Sequence, residues 1–231
     1  MLSINHLPIE ALLVNGEPLG AKHIIERRLG PSTNTNPATP RSTLAFADPL
    51  VPTQQQRQAM TTKALAATPE EFRSRLGPAQ DVWICAHGRA STGLGAVLET
   101  TEEDLVIDAA HLLGTNLTGS NLVLESCWAG RQFGRPHSER LSLVTAALLA
   151  GAESVTAGLF PLPISQSSTG LLVSLTLEHL SAGMTGPEAL HAARSGYLNT
   201  ATDPIEFESP RGKVSLNRGA PLLWAGLVSY R

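Results

Sequence analysis

The sequence holds two cysteines in 231 residues. That is too few for a disulfide framework, and it fits a reducing cytoplasm. No apolar run is long enough to span a bilayer, so no membrane role is expected. The first residues lack a positive segment followed by an apolar stretch, so no signal peptide is read there. No basic stripe points to nucleic acid. No internal repeat or low-complexity tract occurs, and neither a cofactor nor a metal is expected. Formal net charge is −3 and the apolar fraction is 42%, which excludes a disordered chain. The length suits one domain with a sizeable core. Residues 1–47 are expected to form a strand extension and residues 48–231 the core.

Two stretches carry chemistry. Asn121–Gly130 reads N-L-V-L-E-S-C-W-A-G. Its apolar run at Leu122, Val123 and Leu124 suits a strand buried on both faces, as in a parallel sheet. Cys127 then falls where that strand ends. Asp81–Gly88 reads D-V-W-I-C-A-H-G, a second buried strand with His87 and Gly88 at its exit. In open α/β sheets the carboxyl ends of the strands are where ligands and chemistry collect. A cysteine nucleophile needs a group that handles protons and donors that hold an oxyanion. His87, with the N–H groups of Gly88 and Cys127, would supply both.

Other elements follow from pattern. Asn15-Gly16 is a tight-turn signal, with a strand expected from Lys22 to Arg28. Pro31 to Pro40 reads as an exposed loop. Thr43–Ala47 is a strand, Gln54–Ala67 a helix and Glu70–Leu76 its continuation. Ser91 to Gly95 reads as a loop, and Leu105–Leu113 as a helix with Asp108 near its start. Gln132–Glu139 is expected to be an exposed loop beside the thiol. Leu141–Ala150 and Ser167–Leu180 are helices, separated by a third buried strand at Ser154–Ala157. Thr185-Gly186-Pro187-Glu188 is a capping box that opens a helix to about Tyr197. Asn199–Pro221 reads as mostly loop, and Leu222–Ser229 as a final strand.

A strand ending in His-Gly, then one ending in small-Cys before a glycine, resembles the caspase-like cysteine peptidases. The CHAT domain, a caspase-like module often found beside TPR repeats, is the best match. Leu7-Pro8-Ile9-Glu10-Ala11-Leu12 resembles its opening. Ala150-Gly151-Ala152-Glu153-Ser154-Val155 resembles a strand entry, Glu188-Ala189-Leu190 with Ala192-Ala193 a late helix, and Trp224-Ala225-Gly226-Leu227 the closing strand. No TPR-like period accompanies them. The resemblance implies an α/β three-layer sandwich, a mostly parallel sheet with helices on both faces. It implies a cysteine endopeptidase acting on a protein or peptide substrate. Cys127 would be the nucleophile, Gly88 and Cys127 the oxyanion donors, and His87 the group that protonates the leaving amine. No third residue is required.

Each reading has a rival. Cys127 would otherwise be a buried small hydrophobe, and His87 a strand-end imidazole bonded to a carbonyl. Cys85, two residues before His87, would pack in the core or join His87 and Cys127 on zinc. Glu125 departs from the family pattern. Acid-Ser-Cys resembles the metacaspases, where the acid helps bind a basic side chain, and this implies cleavage after Arg or Lys. The alternative pairs Glu125 with Arg131 or Arg135. Trp128 is either a wall of the substrate cleft or a surface aromatic. A silent CHAT-like assembly module is the competing function. The chain opens almost at once on Leu7-Pro8 and closes on the Trp224 strand, with no room for a sensor. Latency and activation by a separate protein, or by loop processing, are therefore expected.

Overall fold

The apolar runs expected to be buried strands lie side by side in one sheet. The computed structural model describes residues 7–29, 41–47, 62–64, 69–91, 95–99, 106–131, 141–162, 168–200, 204–209, 212–217 and 219–231. It opens on a single 3-10 turn, Ile9–Ala11, and a hairpin of β1 (Leu13–Val14) and β2 (Glu17–Pro18). Asn15 and Gly16 take φ of 54° and 82° at its tip, the left-handed pair that a two-residue hairpin loop needs. Next come α1 (Leu19–Lys22), β3 (Ser42–Ala47), β4 (Thr62–Ala64) and α2 (Pro69–Arg75). β5 (Gln80–Cys85) then leads through Ala86 into a small antiparallel sheet of β6 (His87–Ser91), β7 (Gly95–Glu99) and β8 (Val106–Ile107). The chain continues as α3 (Ala109–Leu113), β9 (Asn121–Glu125), α4 (Leu143–Leu149), β10 (Ser154–Gly158), α5 (Thr169–Ser181) and α6 (Gly186–Thr200). A hairpin of β11 (Ile205–Ser209) and β12 (Gly212–Leu216) precedes α7 (Pro221–Trp224) and β13 (Leu227–Tyr230).

The main sheet runs in the order β13-β10-β9-β5-β3-β4. All its pairings are parallel except β10 with β13. Successive side chains on a strand alternate faces, so each apolar run feeds two cores. On one face Val82, Ile84, Leu122 and Leu124 pack with Phe72 of α2, Leu112 of α3 and Val144 of α4. On the other, Ala45, Trp83 and Val123 pack with Leu172 of α5 and Leu190 of α6. This is the mostly parallel, helix–sheet–helix sandwich expected from the sequence. Each fully buried leucine or valine contributes about 1.5–3 kcal/mol. Among the described residues no helix is long and apolar enough to cross a membrane.

Helix starts carry the expected chemistry. Asp108 accepts from the N–H groups of Ala110 and His111 at the start of α3. The Ser142 hydroxyl accepts from Thr145 N–H at 3.0 Å and opens α4. Glu188 reaches back to accept from Thr185 N–H at 3.0 Å, so the glutamate half of the capping box is formed.

Several expected elements differ. The strand read at Lys22–Arg28 is absent: Lys22 ends α1, and only Arg27 bridges Tyr230. An ion pair anchors this segment rather than a ladder. Arg27 donates to Glu10 Oε2 at 2.9 Å, with both side chains buried. Residues 62–64, read within a helix, form β4 because β3 offers a free parallel edge. Residues 106–107, read as helix, are β8. The loops read at 91–95 and 199–221 contain strand ends of β6 and β7 and the whole β11–β12 hairpin. In these segments cross-strand pairing outweighs weak local pattern. The last strand begins at Leu227, after the short helix α7. The loops read at 31–40 and 132–139 lie outside the described residues, as does most of the helix read at 54–67.

Candidate active site

β5 and β9 are parallel neighbours, in register from Asp81 opposite Asn121 to Cys85 opposite Glu125. Both therefore release the chain at the same edge of the sheet. Ser126 ties the two exits together by donating its hydroxyl to Ala86 O at 2.8 Å. Immediately beyond that bond lie His87 and Gly88 on one side and Cys127 on the other. A Cβ built on Gly88 would sit 2.7 Å from the Cys127 carbonyl carbon and 2.8 Å from its amide nitrogen. Only glycine permits this backbone approach.

The segment after the thiol is braced from below. Gly130 N–H donates to Gly158 O at 2.8 Å, and Tyr230 hydroxyl donates to Gly130 O at 2.7 Å. Trp128 takes φ of 63°, a left-handed conformation that is costly for an aromatic residue. It turns the chain sharply after Cys127. The Arg131 guanidinium stacks over the Trp128 ring, 4.8 Å from its centroid.

Cys127 is half-buried and packs against the same core as Trp83 and Cys85. Its sulfur accepts from Leu162 N–H at 3.3 Å. Its own amide donates to no acceptor among the described residues. His87 is exposed, and no hydrogen bond joins it to Cys127 among the described residues. The structure thus brings Gly88 against the Cys127 backbone. It leaves the imidazole and the thiol on facing exits with no hydrogen bond between them among the described residues.

Glu125 turns into the sheet face that carries Cys127. Its Oε2 accepts from the Trp83 indole N–H at 2.9 Å. Burial pushes the carboxyl up to about 7, while hydrogen bonds from Trp83 and Cys85 pull the other way. Of the two arginine partners considered from the sequence, Arg131 lies on Trp128, and Arg135 is outside the described residues. Cys85 is fully buried in the core beneath.

Two neighbours of the site were not singled out from the sequence. Trp83 shares the strand parity of Cys85, but its bond to Glu125 depends on β5 and β9 being adjacent. Glu99 is paired with His87 across the β6–β7 ladder, in a segment to which the sequence assigned no element.

A parallel α/β sandwich with a thiol and a His-Gly exit at its carboxyl edge defines a caspase-like domain. A family model described as CHAT domain matches residues 10–231, and the chain belongs to that family. No curated protein matches the chain.

Proposed function

We propose that the chain is a cysteine endopeptidase. The observation that supports this reading is the close approach of Gly88 to the Cys127 backbone. The thiol gives its proton to His87, and Sγ bonds to the scissile carbonyl carbon. The N–H groups of Gly88 and Cys127 hold the oxyanion. As the C–N bond breaks, His87 returns the proton to the departing amine. Water then cleaves the thioester, releasing a carboxylic acid and restoring the thiol.

Glu125 and Trp128 form part of the pocket for the side chain before the scissile bond. A buried carboxyl there favours Arg or Lys through charge-assisted hydrogen bonds, and Arg for its planar fork. The Leu162 N–H bond to the Cys127 sulfur is consistent with a resting thiol. A separate activating protein, or processing of the chain's own loops, would redirect it toward His87.

The test is covalent labelling with a peptide acyloxymethylketone carrying arginine next to the warhead. Modification located at Cys127 by mass spectrometry supports the peptidase. An unmodified Cys127 in folded protein, with or without prior loop cleavage, argues for a silent module.

A further inference from the structure

His87 and Glu99 are direct partners in the antiparallel β6–β7 ladder. Side chains of such a pair leave the same face, with Cβ atoms about 5 Å apart. Arg89, two residues beyond His87, shares that face. Its Nε and Nη2 both donate to one carboxylate oxygen, Glu99 Oε1, at 2.8 and 2.5 Å. Glu99 Oε2 accepts from no described residue. The carboxylate is thus fixed by one neighbour, on the residue paired with His87 across the ladder, and no hydrogen bond or ion pair joins it to the resting imidazole. Arg89 holds the Glu99 carboxyl below its ordinary range, and the charge of His87 acts in the same direction. The group therefore stays ionised where His87 works.

We propose that Glu99 is a positioning residue for His87, pinned by Arg89 so that its carboxylate orients the ring and stabilises the imidazolium. The inference rests on the peptidase reading. In that reaction His87 takes the thiol proton and delivers it to the amine nitrogen as the C–N bond breaks. An acceptor on the far ring nitrogen aims the proton-bearing nitrogen at the leaving group. The plainer view makes Glu99 and Arg89 an exposed hairpin ion pair that contributes little.

The discriminating variant is Glu99→Gln, assayed on a peptide amide and on an activated ester of the same acyl group. An amide must be protonated to leave, and an activated ester need not be. The expected loss of kcat on the amide is roughly 10- to 100-fold, part of what a positioned acid contributes. The ester should lose clearly less, because both substrates need the thiol deprotonated and only the amide needs its leaving group protonated. Arg89→Ala should show a weaker form of the same selectivity. Equal losses on both substrates, or none, would overturn the proposal while Cys127-dependent cleavage by the parent chain upholds the peptidase. A second readout needs no turnover. The ring 15N resonances of His87, assigned by their loss in His87→Ala, should move in Glu99→Gln at fixed pH. Unchanged ring resonances would overturn the positioning role of Glu99 even if the peptidase reading stands.

Discussion

Trp83 on β5 and Glu125 on β9 are joined beneath the site, the indole N–H donating to the carboxyl oxygen at 2.9 Å. The bond fixes the carboxyl two residues before the thiol and on the same face of the sheet. Burial leaves that carboxyl titrating near neutrality, at about 7. Its charge is then set by pH and by whatever cation enters beside it.

The first prediction concerns specificity. Glu125→Gln should weaken preference for arginine before the scissile bond by about 1.5–3 kcal/mol, the scale of a hydrogen bond to a charged group. In the parent chain KM for an arginine peptide should fall as pH rises through about 7, where the carboxyl ionises. In the variant that pH dependence should vanish. A peptide-library profile showing cleavage after Asp, or after Leu or Met with no basic preference, would contradict this assignment.

The same carboxyl makes a stability prediction. Its folded value is raised from an ordinary 4.5 to about 7, so folding favours the protonated form. The stability this contributes is complete below the unfolded value and is lost as pH rises through about 7. The span corresponds to roughly 3 kcal/mol at most. Urea melts across that window should show a slope in the parent chain that is shallower in Glu125→Gln. Parallel curves would show that the carboxyl is not the titrating group.

Gly88 has no room for a methyl group. Gly88→Ala would place Cβ against the Cys127 peptide, which is backbone and cannot simply rotate away. Overpacking of this kind costs about 1–3 kcal/mol, and the two exits must move apart. Activity should fall much further than stability, because the proposed oxyanion donors move with the backbone. Near-parental turnover in Gly88→Ala would remove this contact from the mechanism.

The N-terminal segment is held by charge. Glu10, Arg27 and Arg194 are all buried, and burial lowers Arg194 to about 10 while Glu10 acts to raise it. Glu10→Gln would leave two buried guanidinium groups facing a neutral amide. Removing one partner of a buried pair typically costs about 3–5 kcal/mol. Denaturant melts should show a loss of that size. A loss below about 1 kcal/mol would mean that the segment is held by its apolar contacts and by the backbone bonds of Arg27.

Much of this architecture is legible in the sequence because the central strands are buried on both faces. Leu122-Val123-Leu124 and Val82-Trp83-Ile84 have no polar alternation to confuse them, and each ends in residues suited to chemistry. Asn15-Gly16 was legible because its turn geometry is local. The β6–β8 and β11–β12 strands were not, since short strands with Gly, Arg and Glu acquire their pairing only from the neighbour. Glu99 was hidden for that reason. The bond from Trp83 to Glu125 required the strand order, which no single segment encodes. The inward turn of Glu125 shows the same limit. Parity placed it on the side of Cys127, but not against an indole.

Parallel peptide-cleavage assays of Cys127→Ala and Cys85→Ala decide whether Cys127 is the nucleophile. Cys127→Ala should abolish cleavage, and Cys85→Ala, a small change in a buried core, should keep most of it. Equal loss in both variants, each shown to be folded, would contradict a single nucleophile at the sheet edge.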